Sequence, residues 1–268
     1  MALEHENIHA LVQALETLEP AFQGFAFEGA AMAMALLDRI TPWKRNRLAT
    51  FLEGPGDRHI YMMHIGAGWA LARLRRRPEP STKNMNPLLR WLVADGYGFH
   101  EGFFHSKLTI EERTRPRRIR GYAQRMFDQG LGRSLWFVRG ADVSAIAETI
   151  ARFDPARQAD VWNGIGLACT YAGGVGGDQI ESLRRAAANF LPEVAQGAAF
   201  AAKARLRAGN PVEHTHVACR ILCDMASDEA AQLTDAALED LPADGPEPAF
   251  KIWRRRIQKH FRGPEVMA

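Results

Sequence analysis

The sequence is poor in cysteine and has no long uncharged apolar run. Only three cysteines occur among 268 residues, all in apolar stretches with helical periodicity: Cys169, Cys219 and Cys223. Such thiols do not form a disulfide framework and are typical of a reducing compartment. No uncharged apolar run approaches the roughly 18 residues that a membrane span needs. Residues 1–6 lack the basic region and apolar core of a signal peptide, so we expect a cytoplasmic protein without a membrane span.

The sequence also lacks a large excess of charged residues of one sign. Lysine and arginine total 34 against 31 acidic residues, and this net charge of +3 excludes a general case for nucleic-acid binding. Hydrophobic residues make up 47%, and alanine is far commoner than valine. This composition favours close-packed helices over strands.

A recurring unit indicates the architecture. An apolar residue, in most copies followed by an acidic one, stands just before a proline, and a small residue follows nine positions after the proline. It occurs three times, and more loosely at Pro55: Leu18-Glu19-Pro20 to Gly29, Phe153-Asp154-Pro155 to Gly164, and Phe190-Leu191-Pro192 to Ala201. Proline is tolerated in the first helical turn, and a small residue lets a neighbouring helix approach closely. The spacing of about 35 residues suits two helices and two turns.

Apolar periodicity along the chain predicts about a dozen helices. We expect an all-α fold of packed helical hairpins with internal repeats of about 35 residues, as a solenoid or a compact α-α bundle. One domain covers 1–268. Its pseudo-halves are 1–106 and 121–268, and the basic segment 107–120 joins them as a lid, hinge or boundary.

Three ionisable residues occupy positions where the helical period calls for an apolar one: Asp95, His64 and His214. Burying such groups is costly unless they are paired, and buried titratable groups are enriched at functional sites. The alternative for each histidine is a core residue bonded to a backbone carbonyl. For Asp95 the alternative is a turn cap.

The predicted catalytic site is centred on Asp95 and His100. We expect the helix to break at Gly96 and Gly98, so that Tyr97 and Phe99 become walls of an apolar pocket. A carboxylate beside an imidazole provides a general acid and base.

The second half of the chain would complete this site with His214 or Lys203. Lys203 lies in a helix of small residues, where it could hold a carboxylate or thioester carbonyl, or pair with Asp95; a lysine at the helix edge is the alternative. Further substrate-binding candidates are one histidine and three aromatic residues, which are otherwise core residues: His64, Trp136, Trp162 and Tyr171.

No metal site is predicted. His100 and His105 are five residues apart, which on a helix places them on diverging faces, whereas zinc-binding helices use histidines four apart. His214 and His216 have the same defect. Nothing in the sequence requires a cofactor, and the cofactor stays unknown.

Several runs of residues resemble the accessory-protein family found beside enediyne polyketide synthases, the UnbL type. They extend over nearly the whole chain in a common order: residues 25–33, 59–70, 95–100, 128–137, 162–168 and 196–204. The resemblance implies a specialised-metabolite pathway. That family has been classed as a domain of unknown function, so no catalytic residue is carried over.

Two functions follow as hypotheses. In the first, the chain is an accessory enzyme of polyketide or enediyne-type biosynthesis that acts on a lipophilic, polyene-like intermediate, with a polyketide synthase or pathway enzyme as its partner. In the second, it is a non-catalytic helical-repeat protein, like a tetratricopeptide array, that binds a peptide or pathway partner. A homodimer is compatible with both.

Overall fold

The computed structural model describes residues 8–41, 43 and 46–262. About 75% of the chain is helical, and no strand occurs among the described residues. The prediction of an all-α fold of packed helices is confirmed. The expectation that concerns residues 1–6 lies outside the described residues. In the part that the structure describes, no helix is long and apolar enough to cross a membrane.

The described residues form fourteen α-helices. In chain order they are α1 (Ile8–Glu16), α2 (Pro20–Ile40), α3 (Arg47–Glu53), α4 (Ile60–Arg73), α5 (Pro78–Ser81), α6 (Leu92–Phe104), α7 (Ala123–Val138), α8 (Val143–Ala151), α9 (Pro155–Ala172), α10 (Gly177–Ala187), α11 (Leu191–Ala208), α12 (Glu213–Leu222), α13 (Ser227–Ala236) and α14 (Ala249–Phe261). Short 3-10 turns precede α4, α6 and α11, and a π-turn covers Lys107–Glu111.

Seven helices pack side by side in chain order and form an inner layer: α2, α4, α6, α7, α9, α11 and α13. Helices α8, α10 and α12 pack on one another as part of an outer layer. The inner layer curves back on itself, as contacts between α11 and α2 show. The Arg205 guanidinium of α11 donates hydrogen bonds of 3.0 Å to the Pro20 and Ala21 carbonyls at the start of α2. The first and sixth helices of the array therefore meet.

Paired glycines set the distance between the inner helices. Two glycines stand two residues apart in each of four helices, at 66 and 68, 96 and 98, 130 and 132, and 164 and 166. Residues i and i+2 point to nearly opposite sides of an α-helix, so each pair serves both neighbouring helices. A Cβ at Gly132 would lie 2.0 Å from the Val161 carbonyl oxygen, and one at Gly164 would lie 2.0 Å from that of Gln129.

The predicted helix break at Gly96 and Gly98 is wrong. Helix α6 continues without interruption from Leu92 to Phe104. A Cβ at Gly96 would lie 2.0 Å from the Ile65 carbonyl oxygen on α4, and one at Gly98 would lie 2.1 Å from that of Phe127 on α7. The glycines are tolerated inside the helix because they let two backbones come into contact.

The proline-led unit is only part of the structural repeat. Pro20, Pro155 and Pro192 do lie in the first turns of α2, α9 and α11. Of the small residues nine positions later, Gly164 makes a close helix contact, whereas a Cβ at Gly29 would meet nothing within 4 Å. In α11 the contact glycine is Gly197 rather than Ala201.

The basic segment 107–120 connects α6 to α7 around the outside of the inner layer. The two helices that it connects are in direct contact, because a Cβ at Gly130 of α7 would lie 1.9 Å from the Asp95 carbonyl oxygen of α6. The predicted pseudo-halves 1–106 and 121–268 thus meet through backbone contact at this point. A role of the segment as a lid or hinge stays a prediction.

We expect Gly132→Ala to destabilise the fold by more than about 3 kcal/mol, because the added methyl group would overlap backbone atoms that cannot rotate away. Gly29→Ala is the matched control on an inner helix. Its methyl group meets nothing, and it should stabilise α2 by about 0.5–1 kcal/mol. Urea unfolding followed by circular dichroism measures both changes. Equal unfolding midpoints would contradict the role of the glycine pairs.

Candidate functional site

A belt of polar side chains lines the inside of the curved inner layer. Six residues on consecutive inner helices share one position, directly before a glycine: Glu28, Ile65, Asp95, Gln129, Asn163 and Gln196. All six are buried, and five of them are polar. Such residues are rarely buried unless they are paired.

Asp95 forms the centre of this belt. Its carboxylate accepts a hydrogen bond from the Arg133 guanidinium through Oδ1 and one of 2.7 Å from the Gln129 amide through Oδ2. Arg133 also lies over the Phe99 ring, 5.0 Å from its centroid. All these groups are buried, so the arrangement is a rigid, desolvated ion pair.

Glu28 approaches the same ion pair from α2. Burial raises the pKa of Glu28 to about 7, which the positive charge of Arg133 opposes and the negative charge of Asp95 reinforces; the nearby Trp69 indole lowers it slightly. Helices α2 and α7 are not neighbours in the array, so this interaction crosses its interior. We call Glu28, Asp95, Gln129 and Arg133 the inner polar cluster.

The inner polar cluster and the side chains next to it contain polar atoms without a well-aligned hydrogen-bond partner in the described part of the chain. Among the described residues, none forms a well-aligned hydrogen bond with Glu28 Oε1, Trp69 Nε1 or the Tyr171 hydroxyl. Tyr171 is linked electrostatically to both Glu28 and Arg133. Buried polar atoms without partners are rare in proteins and mark places where a water molecule or a ligand group can bind.

An aromatic surface extends from this cluster to the solvent. Trp69 stacks on Phe99 with ring centroids 5.1 Å apart, and Phe99 contacts Phe103 and Phe137 at 6.1 and 5.6 Å. Phe103 and Phe137 are 45% and 40% exposed. Together with Phe104, these residues form the aromatic patch, a contiguous apolar surface whose inner end carries Arg133.

A second set of polar side chains in the interior is structural. Asp160 accepts hydrogen bonds of 2.8 and 2.9 Å from Arg125 and Arg254. Arg254 also donates to Gln196, which in turn accepts from Asn163. The carboxylate and guanidinium groups are paired, and they tie α14 to the inner helices α9 and α11.

The apolar pocket near Lys203 is too small for a lipophilic substrate. It measures about 30 Å³ and is lined by side chains of several inner helices together with α14, among them Ile65, Tyr171 and Trp253. This volume suits about one water molecule. The Lys203 ammonium instead donates to Asp235 at 2.6 Å at the edge of α11.

The structure does not form the predicted pair of Asp95 and His100. Because α6 is continuous, five residues rotate the side chain by about 140°, and the two groups leave the helix on different sides. His100 Nδ1 lies 3.2 Å from the Glu101 carboxylate, whereas Asp95 is bonded to Gln129 and Arg133.

His64 and His214 follow the alternative stated for them, a histidine bonded to a backbone carbonyl. His64 Nδ1 lies 2.7 Å from the Ile60 carbonyl, and burial lowers the pKa of His64 to about 4. His214 Nε2 lies 3.0 Å from the Tyr171 carbonyl oxygen. Neither histidine contacts Asp95.

Of the aromatic candidates, the structure brings Phe99 and Tyr171 to the inner polar cluster. Trp136 is buried and donates to the Gly173 carbonyl at 3.1 Å. Trp162 is buried against Phe190. The Tyr97 hydroxyl accepts a hydrogen bond of 3.2 Å from Arg118, away from Asp95.

Sequence reasoning missed Glu28 and Arg133, although a signal was present for Glu28. It interrupts the apolar stripe of α2, and like Asp95 it directly precedes a glycine. Aligning the helices on their glycines rather than on their prolines would have placed the two carboxyl groups at one position of the repeat. Arg133 carries no comparable signal, because an arginine in a helix is ordinarily exposed.

The family described as "Protein of unknown function (DUF1702)" matches residues 1–261, and the chain belongs to this family. No curated protein matches the chain. No solved structure matches it either.

Removing the positive charge from the inner polar cluster should strongly destabilise the protein. We expect Arg133→Met to cost about 3–5 kcal/mol, because it leaves Asp95 charged and buried. Arg125→Met is the matched control. Its side chain is 44% exposed and Asp160 keeps Arg254, so about 1 kcal/mol or less is expected. Urea unfolding measures both values. Similar losses of stability in the two variants would contradict the claim that Arg133 neutralises the buried charge of Asp95.

Glu28 should make stability fall with rising pH. The pKa of its carboxyl is raised from 4.5 to about 7 on folding. The stabilising contribution of the bound proton is therefore fully present below about pH 4.5 and is lost as the pH rises through 7. A shift of this size corresponds to about 3 kcal/mol.

The measurement compares the wild type with Glu28→Gln from pH 5 to pH 8. The free energy of unfolding of the variant should rise relative to that of the wild type as the pH rises. His59 and His64, whose pKa values burial lowers to about 4, titrate alike in both proteins and cancel in the difference. A stability difference that does not change with pH would show that Glu28 keeps an ordinary pKa.

Proposed function

We propose that this member of the DUF1702 family is an accessory enzyme of polyketide or enediyne-type biosynthesis, and that it acts on a lipophilic, polyene-like intermediate by acid–base chemistry. One observation carries the proposal. The Glu28 carboxyl, with a pKa near 7, lies buried beside the charged Arg133 and next to an aromatic patch that reaches the solvent. A titratable group of this kind beside an apolar surface is typical of a catalytic site.

The chemistry would be a proton shift. Near neutral pH, a carboxyl with a pKa of about 7 is present in both forms, so it can both remove and return a proton. The carboxylate would take a proton from one carbon of a conjugated chain, the electron pair would move along the chain, and the carboxyl would return the proton to another carbon. Atoms and electrons balance without a cofactor or an oxidant.

Arg133 would stabilise the negative charge that develops on the substrate during this shift. Asp95 holds the guanidinium group and is itself held by the Gln129 amide, so the guanidinium group need not reorganise during the reaction. The Trp69 indole N–H and the Tyr171 hydroxyl offer further donors near Glu28. Positioned donors in a water-poor site are the usual source of such stabilisation.

The aromatic patch would bind the substrate. A flat conjugated chain would stack on the exposed rings of Phe103 and Phe137, and the buried Phe99 connects these rings to the Arg133 side chain. The pathway context rests on the resemblance to proteins found beside enediyne polyketide synthases. A cytoplasmic location is part of the proposal, since all three cysteines are free thiols.

The exposed aromatic side chains also favour the alternative function, a helical-repeat protein without catalysis. Phe103, Phe104 and Phe137 are each at least 40% exposed. Contiguous apolar surface of this kind is found where proteins bind partners. A polyketide synthase or another pathway enzyme would be that partner.

Metabolite production in the native host separates the two functions. The catalytic proposal predicts that Glu28→Gln abolishes product and accumulates the precursor, because glutamine keeps the shape but cannot exchange the proton. Glu112→Gln, at an exposed position, is the matched control and should leave production unchanged. Circular dichroism of each purified variant checks that it is folded.

Phe103→Asp tests the aromatic patch in the same host. Unchanged product from Glu28→Gln together with lost product from folded Phe103→Asp would reject catalysis in favour of partner binding. Normal product from both folded variants would reject both functions.

A further inference from the structure

A pocket on the outer side of α6 has a composition unlike that of the inner site. It measures about 450 Å³ and lies between the end of α4, the end of α6 and the segment that follows. Its wall contains two histidines, one glutamate and four arginines: His100, Glu101, His105, Arg73, Arg75, Arg115 and Arg118. Nothing in the proposed function uses these residues.

The two histidines and the glutamate converge on one point. One ligand atom from each of His100, Glu101 and His105 lies within 4.8 Å of the others. His100 Nδ1 is 3.2 Å and His105 Nδ1 is 3.6 Å from the same oxygen, Glu101 Oε1. In a tetrahedral zinc site with bonds of about 2.0–2.2 Å, a nitrogen and an oxygen ligand are about 3.4 Å apart.

The end of α6 explains why the spacing of five does not separate the two histidines. Helix α6 ends at Phe104, and His105 has left the helical conformation with φ −128° and ψ 38°. Its side chain therefore returns to the side of His100, and the two rings lie 5.9 Å apart. His100 and His105 therefore do not lie on diverging faces, as their spacing of five predicts, because the helix does not reach His105.

Backbone and packing contacts hold the three side chains in this arrangement. The Thr109 hydroxyl lies 3.1 Å from the carbonyl oxygens of both Glu101 and His105. The His100 ring is fixed between Trp69 and Phe104, with centroids 5.8 and 4.9 Å away. A metal site needs such preorganised ligands.

We propose that His100, Glu101 and His105 form a binding site for a divalent transition metal of the zinc type. Two imidazoles and one carboxylate are a ligand set that zinc uses in catalytic sites, where a fourth position stays open. His105 is half exposed and opens this position to the pocket.

The fourth ligand would be an oxyanion, either a phosphate or a carboxylate group. Arg73 and Arg75 are exposed on the wall of the same pocket, whereas Arg115 pairs with Asp128 and Arg118 donates to the Tyr97 hydroxyl. A divalent cation among arginines is unfavourable unless an anion offsets the charge. Arginine and a metal ion together are well suited to hold a phosphate or carboxylate.

Metal binding is tested by titrating the full-length protein, stripped with a chelator, with Zn²⁺ in an isothermal calorimeter. We expect one Zn²⁺ per chain, and His105→Ala and Glu101→Gln should each weaken binding by at least about tenfold. His260→Ala removes an exposed histidine outside the cluster and should bind as the wild type does. Wild-type affinity in folded His105→Ala and Glu101→Gln would overturn the site.

The oxyanion is tested with Co²⁺ in place of Zn²⁺, because the visible spectrum of cobalt reports its ligands. Inorganic phosphate and acetate are added separately, and at least one should shift the spectrum of the wild type. The shift should need at least about tenfold more anion in the double variant Arg73→Gln, Arg75→Gln. Arg77→Gln, an exposed arginine just beyond Arg75, is the matched control.

A spectrum that neither anion changes would overturn the oxyanion ligand while leaving the metal site in place. Both results are independent of Glu28, so a failure here does not affect the proposed acid–base function. Conversely, Glu28→Gln should bind Zn²⁺ with wild-type affinity, and a loss of zinc binding in that folded variant would contradict the separation of the two sites.

Discussion

The rest of the structure depends on backbone contact between neighbouring inner helices. At each crossing from α2 to α11 a glycine removes the Cβ that would otherwise collide with a carbonyl oxygen about 2 Å away. Because α4, α6, α7 and α9 each carry two such glycines on opposite sides, every one of them can approach both neighbours. The inner helices therefore pack with their backbones in contact, and the residues before the glycines lie side by side on neighbouring helices.

The tight inner layer explains how charged groups come to lie in the interior. The shared position before a glycine is buried on all six inner helices from α2 to α11, and the charges of Glu28 and Asp95 both act on Arg133. With helices this close, water cannot surround the three charges. Arg133 and Asp95 satisfy each other, whereas Glu28 shares a cation that is already paired, and the cost of burial raises its pKa to about 7.

The two sides of α6 offer different chemistry for a simple geometric reason. Asp95 and Phe99 face the inner polar cluster, whereas Tyr97 and Glu101 lie on the other side, toward the segment 107–120. A proton-transfer site and a metal site can therefore share one helix without sharing a proton-transferring group or a metal ligand, although Trp69 and Phe104 of the aromatic patch also pack against His100. The arginines around Glu101 keep the outer pocket positive, while the aromatic patch gives the inner face an apolar entrance.

The sequence by itself determined the helical class, the starts of α2, α9 and α11 and the burial of Asp95, because these follow from apolar periodicity and from prolines in first turns. The periodicity could not show that Gly96 and Gly98 continue a helix, since glycine permits both a break and a close contact, and only the neighbouring backbones decide between them. Tertiary structure likewise decided the partners of Asp95. Gln129 and Arg133, the partners of Asp95, lie on α7. Glu28 lies on α2, and its approach to Arg133 depends on the curvature of the whole array, because α2 and α7 are not neighbours in it. His105 joined His100 because α6 ends at Phe104, where the segment up to Thr109 begins to hydrogen-bond the last carbonyls of the helix.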